Sequence, residues 1–268
     1  MKTKTIAQNK PHLRQIIEEE IKLNGDSCDL NHIDVSKITE MSFLFYKKKF
    51  NGNISSWNVS NVASMGGMFS ESVFNGDISQ WDVSSVKNMG KMFYKSMFNG
   101  NISQWDVSSV KNMHRMFQNS CFNQDISEWD VSSVVDMESM FAESNFNQDL
   151  FAWNVSKVKN MALMFYKSKF NQNISEWDVS NVTVLDYVFA DSIFSQDISN
   201  WKPKKLKHKT DAFFESQLEK DNLIPYWANV EVEFLEQAID AYQLQNRLID
   251  KLDPVGSKEA IKINTIKI

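Results

Sequence analysis

The sequence predicts an α/β repeat solenoid, a right-handed stack of strand-turn-helix rungs with a parallel sheet and helical caps, and three observations predict it. Tryptophan falls at Trp57, Trp81, Trp105, Trp129, Trp153, Trp177 and Trp201, a spacing of 24 held without insertion or deletion. Phenylalanine keeps the same interval in two rows, Phe50 to Phe194 and Phe45 to Phe213, and methionine in two more, Met41 to Met161 and Met68 to Met164. Two apolar periodicities share each interval, as expected when a short strand and a short helix alternate. A unit of this length buries its apolar face only against its neighbours, so stacking is obligatory.

The unit from Phe74 to Met97 carries both signals. Ile78, Trp81 and Val83 end in the alternation of a strand with one buried face, whereas Val86, Met89, Met92 and Phe93 recur at helical spacing. Ser84 precedes that second stretch, as do Ser60, Ser108, Ser132, Ser156 and Ser180 in their units, and the row reads as helix N-caps. The seven row tryptophans form the core of the stack. Asn51, Asn75, Asn99, Asn123, Asn147 and Asn171 read as a structural ladder, because amide side chains satisfy backbone groups left bare by tight turns. Two residues on, Asn53, Asp77, Asn101, Asp125, Asp149, Asn173 and Asp197 interchange amide and acid, which points to a shared acceptor oxygen in a turn.

The pattern Ile-x-x-Trp-x-Val-x-x-Val-x-x-Met-x-x-Met-Phe-x-x-Ser-x-Phe-Asn resembles the BspA-type leucine-rich repeat. It is closest to the Met- and Trp-rich variety of bacterial and mycoplasma surface proteins. The resemblance covers residues 29–214. It implies a leucine-rich-repeat-like solenoid with a parallel sheet on one side, binding as the usual role, and often adhesion at a cell surface.

The rest of the chain divides around that array. Residues 1–28 form an N-terminal helical cap: Pro11 suits a helix start, and Leu13, Ile16, Ile17 and Ile21 set an apolar stripe opposite Arg14, Glu18 and Glu19. Residues 29–214 hold one degenerate rung and seven repeats, the last degenerate, with Ile33 in the tryptophan row. The run from Lys202 to Lys209 has the proline and lysines of an exposed edge strand, which block further pairing. A functional basic patch is the other reading. Residues 215–268 form a C-terminal helical cap and tail, with an amphipathic helix over about 229–252 carrying Leu235, Ile239, Tyr242, Ile249 and Leu252. Ile261, Ile263, Ile266 and Ile268 alternate as in a last strand or a loose tail. Caps at both ends favour a monomer.

Composition narrows the function classes. The balance of 29 basic and 34 acidic residues gives −5, which offers no general attraction for nucleic acid. No apolar run reaches membrane-spanning length and no apolar h-region follows the basic N-terminus, so the expectation is a cytoplasmic protein without membrane insertion. A cell-surface or secreted location is the alternative if an export signal lies upstream. Cys28 and Cys121 are too few for a disulfide scaffold and read as reduced thiols. His12, His32, His114 and His208 are widely separated, neither cysteine has metal-ligand spacing, and no phosphate-binding glycine loop occurs. The expectation is therefore no catalytic residue, no metal, no cofactor and no enzyme.

What is left is binding. Asp82, Asp106, Asp130 and Asp178 follow their tryptophans on a face pointing away from the core, with Glu128 two positions before Asp130. Stacked like charges repel, so local hydrogen bonding, a basic protein partner and a cation are the three readings open. Tyr94 and Tyr166, with Tyr46, share a row where a ring can anchor a partner, and Phe151 replaces the serine of its row. Lys87, Lys91, Lys95, Lys111 and Arg115 form a basic zone that changes sign at Asp136, Glu138 and Glu143. The expected function is a non-enzymatic scaffold that binds another protein, the alternatives being a cytoplasmic inhibitor or immunity protein masking a basic toxin or enzyme surface and a secreted or surface adhesin.

Overall fold

Short polar acceptors set the corners of each unit. The structure, a computed structural model, describes residues 4–252, with side chains through residue 247. In the unit 74–97, the Asp77 carboxylate accepts the Ser79 N–H at 2.9 Å, Asp82 accepts that of Ser84 at 3.1 Å, and the Asn88 amide oxygen accepts that of Gly90 at 3.0 Å. The same three turns recur around Asn101, Asp106 and Asn112, and around Asp125, Asp130 and Asp136. Asn and Asp side chains turn a chain this way because they mimic a backbone acceptor two residues upstream. Backbone bonds three residues apart tighten the corners, from Trp81 N–H to the Ile78 carbonyl, Val86 to Val83 and Met92 to Met89.

The units therefore differ from the expected strand-turn-helix rungs. Among the described residues, no helix or named strand lies between β2, at Ile33–Asp34, and the four-residue α2 at Gln217–Lys220. The physical reason is a pair of left-handed residues, four positions apart, within the supposed helix of each unit. Lys91 and Lys95 have φ of 58° and 51°, and Arg115 and Asn119, Leu163 and Lys167, and Tyr187 and Asp191 repeat the pair. Left-handed backbone costs a non-glycine residue about 1–2 kcal/mol. In exchange it turns the N–H groups out of the unit: Met89, Lys91, Phe93 and Lys95 donate to the carbonyls of Asn112, His114, Met116 and Gln118 at 2.8–3.0 Å. The bonds that a helix would spend on itself join one unit to the next. The serine row is corrected with it, since Ser84 caps no helix. Its N–H and hydroxyl both donate to Asp82, the hydroxyl at 2.6 Å.

Parallel pairing also lies elsewhere than at Ile78 to Val83. Single parallel bridges run through Glu40, Ser64, Asn88, Asn112, Asp136, Asn160, Val184 and His208. The tryptophan stretch is instead a turn over buried rings. Each row tryptophan is at most 3% exposed, and its indole N–H donates to a carbonyl of the preceding unit, as Trp129 does to Ile102 at 3.1 Å. Phenylalanine rings stack from unit to unit, Phe93 on Phe117 at 5.7 Å and Phe98 on Phe122 at 6.3 Å between centroids. Between the two phenylalanine rows runs a row of buried serines whose role the polar side chain conceals. Ser96, Ser120 and Ser144 are buried, and each hydroxyl accepts the N–H of the phenylalanine two residues on.

Both ends of the stack are covered. β1, at Thr5–Ile6, pairs in parallel with β2, and α1 spans Lys10–Asn24 with the Asn9 side chain accepting the His12 N–H. Leu13, Ile16 and Ile17 of α1 are buried in the common core. At the other end Pro203 takes the place of the row valine and is buried. Trp227 sits over Phe213 at 5.7 Å between centroids, and Leu218, Leu235 and Ile239 are buried behind it. The amphipathic segment begins its α-helix, α3, at Leu235 and continues to Leu252. Two short 3-10 turns, Tyr226–Asn229 and Val232–Phe234, precede it. The side chains of Ile249 and Leu252, and the tail from Ile261 to Ile268, lie outside the described residues.

Candidate interaction face

The structure places the singled-out surface residues in separate groups. Asp82, Asp106, Asp130 and Asp178 are exposed and each engages the N–H of a serine two residues on. They lie on turns rather than on a sheet face, which corrects their expected setting. Glu128 is exposed near Asp130, and Phe151, 44% exposed, stands in the turn closed by Asp149. Tyr94 and Tyr166 lie about half a unit away, among the residues whose backbone bonds join neighbouring units. The Asn ladder is a chain of bonds: Asn51, Asn75, Asn99, Asn123 and Asn147 each accept the N–H of the next asparagine at 2.8–2.9 Å, and Asn171 accepts that of Ser195.

These turn bonds have an electrostatic consequence. A carboxylate accepting hydrogen bonds is favoured over its acid. The Ser84 and Ser132 hydroxyls, then their N–H groups, hold Asp82 and Asp130 below the ordinary carboxylate range. The N–H and hydroxyl of Ser79 and Ser127 do the same for Asp77 and Asp125. Asp34 is held at about 2 by Ser36 and then by Lys4 at 3.0 Å. A folded value below the unfolded one adds stability above the unfolded value, and that stability is lost as pH falls through the folded value. Stability should be level near neutrality and drop between about pH 4 and pH 2. Asp34→Asn keeps an acceptor oxygen but removes the titration, so its urea midpoint should fall less steeply over that interval. Parallel pH curves for the two proteins would rule out this cause.

The face built from the left-handed residues and their neighbours is where the units differ most. Its middle row reads Tyr46, Ser70, Tyr94, Gln118, Ala142, Tyr166, Ala190 and Phe214, so aromatic rings are separated by one or two small or polar side chains. Ser70, Ala142 and Ala190 are buried between taller neighbours. Wherever a tyrosine holds this row a lysine follows and lies over its ring: Lys47, Lys95 and Lys167 have Nζ at 5.0, 5.3 and 4.9 Å from the centroids. Ring faces of this kind attract cations. Charge along the face changes sign where Arg115 meets Glu138 at 2.8 Å. Tyr187 and Phe214 escaped the sequence reading because they occupy rows three positions apart in adjacent units, and only the stack brings them to one groove.

Among the described residues no group of three or more His, Cys, Asp or Glu side chains is placed to hold a metal ion. No helix among them is long and apolar enough to cross a membrane. Cys28 is buried, and the exposed Cys121 has its thiol 3.9 Å from the Met97 sulfur.

A chain of stacked 24-residue units bonded through fixed positions is a repeat protein. It belongs to the family described as Mycoplasma protein of unknown function, DUF285, whose model matches residues 13–121, 95–169 and 144–251. No curated protein and no solved structure matches the chain.

Proposed function

We propose that the protein is a non-enzymatic binding scaffold, a leucine-rich-repeat-like solenoid of the BspA type that docks another protein. The observation that carries this reading is the partition of side chains. Tryptophan, phenylalanine, methionine, serine and asparagine rows maintain the stack, whereas the face through Tyr94 and Tyr166 varies in size, ring content and charge from unit to unit. Half-buried tyrosines on a rigid backbone supply contact area at low entropic cost, as interface anchors do. A regular ladder repeats one environment, whereas acid-base catalysis needs two different ones, which favours binding over catalysis.

A second reading has its own observation. Asp82, Asp106 and Asp130 are exposed, and the serine bonds occupy one carboxylate oxygen of each. The other oxygen is available to a basic partner, as an inhibitor masking a basic surface would need. The two readings separate in an affinity capture from cells of the source organism with two variants. Tyr94→Ala/Tyr166→Ala should lower capture of a stoichiometric protein by on the order of tenfold or more. Asp82→Asn/Asp106→Asn/Asp130→Asn, which keeps the turn acceptors, should leave it unchanged. The reverse pattern would move the site to the acidic turns, and capture unaffected by both would sink the two readings together.

A further inference from the structure

A groove interrupts the variable face near its C-terminal end. Leu163, Tyr166, Tyr187, Ala190, Asp191 and Phe214 line a cavity of about 390 Å³. It lies over Ala190, a buried residue that shares a row with Tyr166 and Phe214 and carries a methyl group where they carry rings. Its floor is fixed backbone: Lys167 N–H donates to the Ala190 carbonyl, Tyr187 to Thr210 and Asp191 to Phe214, at 2.8–3.0 Å.

The walls combine ring faces with negative charge. Asp191 lines the groove, Asp211 and Asp186 are close enough to act on the Tyr187 phenol, and Glu215 follows Phe214 in the chain. Lys167 stands on this rim, its Nζ 4.9 Å from the Tyr166 ring centroid and 4.0 Å from Asp191. Lys209 stands near Asp211 and Phe214 around a neighbouring pocket, where its ammonium donates to the Ala228 carbonyl, so the rim itself, with Asp191 and Asp211 against Lys167, stays acidic. At 4.0 Å Lys167 also holds Asp191 only loosely.

We infer that this groove receives an arginine side chain presented by a protein partner. A guanidinium is flat enough to lie against Tyr187 or Phe214 and offers paired donors to a carboxylate, whereas an ammonium offers neither. The apolar lining suits the weakly hydrated guanidinium, and the acidic rim draws it in. The inference rests on the reading of the variable face as the docking face, and it names the chemistry that one end of that face selects.

The probe is an acetylated, amidated hexa-arginine peptide titrated into the full chain at low ionic strength, followed by the Leu163 methyl resonances and by calorimetry. Saturable binding that moves those resonances is expected, with hexa-lysine weaker. Asp191→Asn/Asp211→Asn should weaken binding on the order of tenfold. Both positions are left-handed, which asparagine tolerates, so the fold should survive. Asp82→Asn/Asp106→Asn removes the same charge from the turns and should leave the affinity unchanged. Ala190→Leu fills the groove without changing charge and should abolish the Leu163 shifts.

Equal weakening by both charge pairs would mark diffuse electrostatic attraction and overturn the inference, as would binding of choline but not of hexa-arginine. If Asp191→Asn/Asp211→Asn still captured a native partner whose capture Tyr94→Ala/Tyr166→Ala abolished, the arginine groove would fall while the scaffold reading stood.

Discussion

Trp129→Ala is expected to lower the unfolding free energy by about 3–5 kcal/mol, the range for truncating a large buried aromatic side chain. Trp129 is 3% exposed, packs against Phe117 at 6.3 Å between centroids and donates its indole N–H to Ile102. Most of the cost is the cavity, because the Ile102 carbonyl retains a second donor, the Trp105 N–H. The units on either side are bonded to each other through their backbones and have little freedom to collapse into the space. Trp129→Phe should cost roughly half as much, since a ring still fills part of the site. Urea unfolding followed by circular dichroism would measure both. An unchanged midpoint for the alanine variant would contradict a core role for the row.

Removing residues 1–25 should have an effect of similar size and a different signature. Leu13, Ile16 and Ile17 are buried, and fully burying such a side chain is worth about 1.5–3 kcal/mol. The deletion also strips β1 from β2, where Thr5 N–H donates to His32 and Ala7 N–H to Asp34. The first unit would then present bare backbone acceptors beside apolar residues, a template for pairing with another chain. Light scattering after gel filtration should find association that rises with concentration. A truncated chain that stays monomeric with an undiminished urea midpoint would show that the first unit needs no cover.

The rows were legible because stacking repeats one environment at every interval of 24, so tryptophan, phenylalanine, methionine and asparagine each declare their place. The α1 cap was legible for the ordinary reasons, a proline at the start and apolar spacing of three and four. The interior of the unit was not. Val86, Met89, Met92 and Phe93 have helical spacing, yet turns closed by bonds three residues apart and a pair of left-handed residues bring the same four side chains into the core without a helix. No glycine marks most of those positions; lysine, arginine, leucine and tyrosine occupy them. Of the interaction face, Tyr94, Tyr166 and the change of charge were readable along the chain. The groove was not, because it depends on what stands beside Ala190 in the units above and below.

The bonds between units join fixed positions of adjacent units: indole to carbonyl, asparagine to N–H, left-handed residue to carbonyl. A gene segment encoding one whole unit could therefore be duplicated or excised and the seam would close with the same partners. The array can change length, and set different rings and charges beside one another, by recombination alone. Its vocabulary of surfaces would then grow with the order of its units as well as with substitutions inside them.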